Sequence, residues 1–451
     1  MFKRKNVDAT KGAIIPLIIT YSVPLILSTI VQTLFNAVDV AVLGNMADPT
    51  SLASVGATSS VFSLLVHGFV GISAGLKVLL ARYIGARETK KTTNAISTAL
   101  IFSLVFGVII AVFGFIFTPP LLKLTNCPSD CFEGAVLYLR IYFLATPAVL
   151  LYNYGSSILT AGGDTQRPLY YMLAGGALNL VLNIILCLIL PKKVVAVAIA
   201  TAASQILGAI LVLVRIKKAY DLHVKSISFD IHALATMLKF GIPIAVTNVL
   251  YPISNLQIQS AINSYGSAAI AGNSASINFE GIVAAFTGAF ATTAGVFMSQ
   301  NLGAMKHDRV KKSLIHSLWM SVSISALVGG LLFLCGRFLM NLLLGGKSPE
   351  AVEYGMMRSM FVTLPYFITG INGILGHAMQ AFGYPAISSI NSIVCILGFR
   401  LIWMKWVYPM FHSLLGVMVC FTVSWILLLI LNLIVFTVIY RKYLKGKYKY
   451  I

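Results

Sequence analysis

Two carboxylates, Asp39 and Glu280, stand well inside long apolar runs of this 451-residue chain. An ionisable group in such a setting is costly enough to mark a functional site by default. Asp39 lies in Phe35-Asn-Ala-Val-Asp39-Val-Ala-Val-Leu-Gly44. On a helix it falls about five residues, or roughly 8 Å, short of the end of its run. Asn179 and Asn183 form an i,i+4 pair on one helix face, with Asn183 about seven residues before Pro191. Thr201 falls about seven residues into the following run. Carboxylate, two amides and a hydroxyl therefore share one depth band. Such a set offers hard oxygen ligands to a small cation, Na⁺ on Asp39, Asn179 and Asn183, or a carboxyl whose proton affinity its neighbours tune. The plainer reading of Asn179, Asn183 and Thr201 is interhelical hydrogen bonding.

Glu280, in Ile277-Asn-Phe-Glu280-Gly281, lies about twelve residues into its run, roughly 18 Å deep. At that depth it attracts a cationic substrate, acts as a second protonatable group, or closes a structural salt bridge. Lys77 sits about 22 Å from that level, too far for a direct pair. Arg140 and Arg358 recur at matching positions and read as stabilisers of their respective halves. Gly71-Ile-Ser73-Ala-Gly75 fits a serine-hydrolase pattern but lies inside an apolar helix, where small residues serve close packing. His67, His316 and His377 are isolated and read as hydrogen-bonded packing residues. No phosphate-cradling loop is present, and no catalytic cluster gathers at one end of the runs, so an enzyme is not expected.

The elements that must position these groups are membrane helices. The chain is 58% hydrophobic and 10% charged, with a mean hydropathy of +0.89, against about 25% charged residues in soluble proteins. Twelve apolar runs are legible, at approximately 14–44, 52–83, 93–118, 133–161, 168–190, 194–216, 235–264, 268–301, 312–336, 352–382, 386–408 and 413–440. They are too long for barrel strands. The net charge of +20 sorts by side instead of pointing to nucleic acid. Lys3, Arg4, Lys5, Lys11, Arg82, Arg87, Lys90, Lys91, Lys217, Lys218, Lys306, Arg309, Lys311, Arg441 and Lys442 share one face, which predicts cytoplasmic termini. Residues 1–11 read as a short basic arm leading into the first span, not as a cleavable signal. Cys127 and Cys131 share one short loop on the other face, where an oxidising compartment allows a disulfide, or two ordinary thiols.

The second half repeats the first. Tyr21-Ser-Val-Pro24 returns as Phe240-Gly-Ile-Pro243, and Arg82-Tyr-Ile-Gly85-Ala86 as Gln300-Asn-Leu-Gly303-Ala304. Arg140 and Pro147 return as Arg358 and Pro365, and Gly163 as Gly383, at a shift of roughly 218 to 220 residues. The fold class is therefore all-α integral membrane, with two six-helix lobes related by a pseudo-twofold axis: 1–217, a linker over 218–233, and 234–451. Two like membrane halves are the usual build of a secondary transporter. Neither acid has an acidic counterpart in the other half.

Taken in order, Phe35 to Asp39 and Gly44, Ala81-Arg-Tyr-Ile-Gly85-Ala86, Leu159-Thr-Ala-Gly-Gly163-Asp-Thr-Gln-Arg-Pro168, Asn179-Leu-Val-Leu-Asn183 and Gln300-Asn-Leu-Gly303-Ala304 resemble the multidrug and toxic compound extrusion (MATE) transporters. The likeness covers nearly the whole chain. It implies two lobes in a V around a central cavity, in the plasma membrane. It also implies export of amphipathic, often cationic compounds, driven by an inward Na⁺ or H⁺ gradient with no further cofactor. A monomer among membrane lipids, without nucleic acid, is the expected working form. Asp39, Asn179, Asn183 and Thr201 match the family's amino-terminal cation site. Some proton-coupled members carry a second acid where this chain has Asn183, a departure that suits Na⁺ somewhat better. A lipid-linked saccharide flippase of the same superfamily is the alternative.

Overall fold

The computed structural model describes residues 6–46, 49–125, 127–222, 228–346 and 348–445; the side chains of 36–41, 43, 45, 46 and 49 lie outside the described residues. All regular structure among them is helical. Among the described residues, twelve helices are long and apolar enough to cross a membrane. In the first half these are α1 Ile14–Met46, α2 Pro49–Gly85, α3 Thr89–Leu124, α4 Phe132–Ala161, α5 Gln166–Ile189 and α6 Lys193–Tyr220. In the second they are α7 Ile231–Asn263, α8 Ser267–Gly303, α9 His307–Leu334, α10 Pro349–Ala381, α11 Pro385–Phe411 and α12 Leu414–Leu444. A short helix, Gly336–Leu343, precedes α10.

Three helix starts carry a polar side-chain cap where the chain leaves the apolar runs. Asp230 Oδ1 accepts from the backbone N–H groups of His232 and Ala233 at the start of α7. Ser348 and Ser413 do the same for α10 and α12 through Ala351 and Gly416. Each cap satisfies a donor that a helix leaves open at its first turn.

The duplication extends to backbone geometry. After α2, Arg87 takes φ 58°, and after α8 Met305 takes φ 57°. The closing bonds match as well, Glu88 N to Tyr83 O at 3.1 Å and Lys306 N to Asn301 O at 2.9 Å. The turns after α4 and α10 repeat in the same way, with Gly163 at φ 87° and Gly383 at φ 86°. A left-handed residue at that place returns the chain while satisfying the last carbonyls of the helix. At Gly163 a Cβ would lie 2.0 Å from the Val7 carbonyl oxygen, so glycine is required there for space as well as for φ.

The helices divide into two compact units. The first holds residues 6–8 and Leu27–Gly241; the second holds Ala9–Ile26 and Ile242–Ile451. Both α1 and α7 therefore change unit along their length, within three residues of Pro24 and Pro243. A proline inside a helix removes one backbone bond and loosens the ladder there, and the repeat sets one at each crossing.

In the first unit, α2 meets the opening half of α7 at Gly75 and Gly241, where an added Cβ on Gly75 would stand 2.4 Å from the Gly241 nitrogen. Ser73 Oγ donates to Val70 O at 3.0 Å and accepts from Ser157 Oγ at 3.3 Å. The Gly-Ile-Ser-Ala-Gly stretch is thus a packing surface. In the second unit, residues 9–12 are held by the turn after α8. Gln300 Oε1 accepts from Ala9 N, Asn301 Nδ2 donates to Ala9 O, and Lys306 Nζ donates to Thr10 O.

Two helices of the second unit are irregular. In α10, a π turn at Ser359–Thr363 follows Arg358 directly, and a 3₁₀ turn, Leu364–Tyr366, takes up Pro365. In α11, π turns Ile393–Gly398 and Trp403–Val407 flank a four-residue α segment, Phe399–Ile402. The counterpart α4 stays α-helical across Pro147.

Candidate functional site

The apolar stripe of α5 is broken by Asn179 and Asn183, and both are buried, Asn183 completely. Their i,i+4 spacing brings the amides together: Asn183 Nδ2 donates to Asn179 Oδ1 at 3.0 Å. Asn179 Nδ2 in turn reaches Thr201 Oγ1 on α6 at 3.5 Å. Three of the four residues expected in one depth band thus form a continuous polar chain across α5 and α6. The side chain of Asp39 lies outside the described residues. Its helix can be placed, however. Phe35 of α1 packs on Gly176 of α5, where a Cβ would come within 2.1 Å of the ring. Asp39 is four residues beyond Phe35, and Asn179 three beyond Gly176, in neighbouring helices, so the two backbone positions lie at similar heights. Glycine at 176 is what lets an aromatic-bearing α1 approach α5 here.

Glu280 is engaged. Arg358 donates to it through two nitrogens, Nε to Oε1 at 2.5 Å and Nη2 to Oε2 at 2.9 Å. Both side chains are largely buried, at 14% and 5% exposure. Arg358 Nη1 donates to Asn273 Oδ1 at 2.8 Å, and a line of amides continues through Gln259 to Asn263. The guanidinium also lies over the Phe421 ring at 4.8 Å. A forked pair with its remaining donor occupied is the geometry that makes a buried ion pair tolerable. The repeat-matched Arg140 behaves differently, donating from Nε to Phe115 O at 3.2 Å and lying over that ring at 4.8 Å. Duplication kept both arginines, and among the described residues only Arg358 is paired with an acid.

Arg358 as the partner of Glu280, and a further buried cation, Arg400 on α11, are not evident from residue types and spacing alone. Relative depth carries the signal for both. Glu280 is 13 residues into α8 and Arg358 nine into α10, a difference of about 6 Å along helices with the same sense. Arg400 stands 15 residues past Pro385 and 11 before Phe411, mid-span by any count.

Two of the three isolated histidines are satisfied on their own helices. His67 Nδ1 lies 2.7 Å from Ser63 O, and His377 Nδ1 lies 2.9 Å from Gly373 O, each one turn back on its own helix. Among the described residues, no group of three or more His, Cys, Asp or Glu side chains gathers for a metal ion. Cys127 and Cys131 are free thiols with their sulfurs 3.8 Å apart. Cys127 lies outside the spanning segments, and burial, reinforced by the hydrogen bond with Cys131, holds its pKa above the ordinary thiol value.

A protein-family model described as MatE matches residues 24–189 and 243–404, well over half of the chain. The "Probable multidrug resistance protein YoeA" of Bacillus subtilis (strain 168) is 26% identical over 389 residues, which cover 84% of this chain and 83% of that protein. The "Probable multidrug resistance protein YpnP" of the same organism is 23% identical over 84% of this chain and 85% of its own length. A crystal structure of MATE in complex with MaL6 has the same fold, with a TM-score of 0.89 at 20% identity over 97% of this chain and 100% of that one. One matched block falls in each half of the duplication, on the twelve spans just described, and the chain belongs to the multidrug and toxic compound extrusion (MATE) family of membrane transporters.

Proposed function

We propose that this protein is a secondary multidrug exporter of the plasma membrane, a cation-coupled antiporter that moves amphipathic, cationic compounds outward by alternating access. The observation that carries the reading is the amide and hydroxyl chain of Asn183, Asn179 and Thr201 on α5 and α6, at the level of Asp39 on α1. Neutral oxygens at the level of one carboxylate suit Na⁺, and the carboxylate alone suits H⁺. Either cation neutralises Asp39, and that change of charge is what biases one state of the carrier over the other. The relatives are named for multidrug resistance, which favours drug export over saccharide flipping.

Glu280 contributes on this reading as a charge that a cationic substrate draws on, in competition with Arg358. The working unit is a monomer with two lobes, 1–217 and 234–451, joined by a linker over 218–233, and with both termini cytoplasmic. The test is uptake of a fluorescent organic cation into proteoliposomes, with a Na⁺ gradient or a pH gradient imposed one at a time. Stimulation by one gradient is the expected result and names the coupling ion. Equal transport with neither gradient would sink the antiport reading.

A further inference from the structure

The second half carries a cationic cluster where the first half carries the neutral Asn179, Asn183 and Thr201. Under the shift of roughly 218 to 220 residues, α7, α11 and α12 are the counterparts of α1, α5 and α6. Arg400 on α11 then falls between the positions of Asn179 and Asn183. Ser254 and Asn255 on α7 fall within about one turn of the position of Asp39, and Ser424 on α12 within about one and a half turns of Thr201. The same three helices of the repeat thus hold a fixed cation.

Arg400 is 1% exposed. Its Nε donates to Ser424 Oγ at 3.2 Å, and Nη1 donates to Asn255 Oδ1 at 2.8 Å and to Ser254 Oγ at 3.5 Å. The guanidinium lies over Phe421 at 4.5 Å and over Tyr251 at 5.7 Å. Every one of these partners is neutral. Nη2 is buried without a hydrogen-bond partner among the described residues. Glu280 is already held by Arg358, and no ion pair joins Arg400 to an acid among the described residues. Trp425 repeats the pattern: its Nε1 is a buried donor without an acceptor among those residues, and its ring packs edge-on to Phe421 at 6.3 Å. Two unanswered donors therefore border one aromatic ring. The backbone is unusual at the same place, because Arg400 sits in the four-residue segment between two π turns of α11. Such turns recur at functional sites.

An arginine does not shed its proton, so burial cannot neutralise it as it can a lysine. A buried charge held by neutral groups alone is expensive, and more so within a membrane. We propose that Arg400 is the binding site for a small monovalent anion, either chloride or the carboxylate of a zwitterionic cargo, received by Nη2 while Asn255, Ser254 and Ser424 fix the guanidinium. One negative charge cancels the one positive charge, and the single open nitrogen asks for one acceptor atom. This site is distinct from the coupling site proposed above and does not depend on it.

The test is binding to the purified full-length protein in lipid nanodiscs, at constant sodium and with sulfate as balancing anion. Chloride or acetate is titrated while the unfolding midpoint and tryptophan fluorescence are followed. A saturable response is expected: to chloride alone if the ligand is a halide, to acetate as well if it is a carboxylate group. Asn255→Asp, which places a counter-charge beside Nη1, should weaken that response about tenfold or more. Ser254→Asp is the second variant with the same expectation should the first fail to fold. No saturable response to either anion in the native protein, or an undiminished response in the aspartate variants, overturns the proposal.

Discussion

At the scale of single residues, the two intramembrane acids ask for opposite experiments. Asp39 is legible as a candidate site because a carboxylate inside an apolar run is costly to keep without a use, and Asn179, Asn183 and Thr201 are expected at its depth. Asn179, Asn183 and Thr201 do meet in one hydrogen-bonded chain. Asp39→Asn keeps the shape and removes the charge, so gradient-driven export should fall to background while the unfolding midpoint stays near that of the native protein. Export at native rate by a well-expressed variant would remove Asp39 from the coupling role. Glu280 is different, because its carboxylate answers the fork of Arg358. Glu280→Gln strands a buried guanidinium, and breaking such a pair from one side costs about 3–5 kcal/mol. The double variant Glu280→Gln/Arg358→Gln should regain part of that loss, since it strands no charge. Denaturation of both in the same detergent checks the order. The pairing itself is not legible from residue types. Lys77 stands at the wrong depth, and only the level of α10 relative to α8 points to Arg358.

Whole helices are legible for a cruder reason: runs of apolar residues three or more turns longer than any strand leave little choice of conformation in lipid. What such runs conceal is rotation. A helix that is apolar all round has no strong face, so which side of α2 meets which neighbour cannot be read from period alone. Gly75 shows how the choice is made. An added Cβ there would stand 2.4 Å from the Gly241 nitrogen and 2.5 Å from the Met237 carbonyl oxygen, whereas at Gly281 nothing lies within 4 Å. Gly75→Ala should therefore destabilise the protein by about 1–3 kcal/mol, since backbone atoms cannot swing aside. Gly281→Ala should be neutral or favourable by about 0.5–1 kcal/mol, as expected when a helix interior loses a glycine. Thermal unfolding in detergent separates the two, and equal midpoints would contradict the close approach. The π turns of α10 and α11 are also hidden, because no residue type demands them. Among the described residues they lie next to Arg358 on α10 and on either side of the segment that holds Arg400 on α11.

At the scale of the whole molecule, the repeat and the charge asymmetry predict an orientation by independent routes. An even number of spans per half predicts the same sense for both halves, and the basic residues after α2 and α8 then predict one cytoplasmic side for both loops. The turns at Arg87 and Met305 share one backbone conformation, so the duplication is structural as well as textual. The division of α1 and α7 between the two units is not legible, since a proline in a long apolar run marks a loosened helix without saying which neighbours each half will choose. The orientation can be checked with thiols already in the chain. Cys127 is half-buried and Cys335 exposed, both in segments predicted to face outward, while Cys131, Cys187, Cys395 and Cys420 are buried. An impermeant maleimide should modify intact cells at Cys127 and Cys335, and permeabilisation should add nothing. A cysteine introduced by Arg87→Cys should react only after permeabilisation. The raised pKa of Cys127 sets a second signature. The thiolate is the reacting form, so its labelling rate should still be climbing at a pH where a free thiol in solution has levelled off. Labelling of the native thiols only after permeabilisation would invert the molecule in the membrane, and with it the direction of the proposed transport.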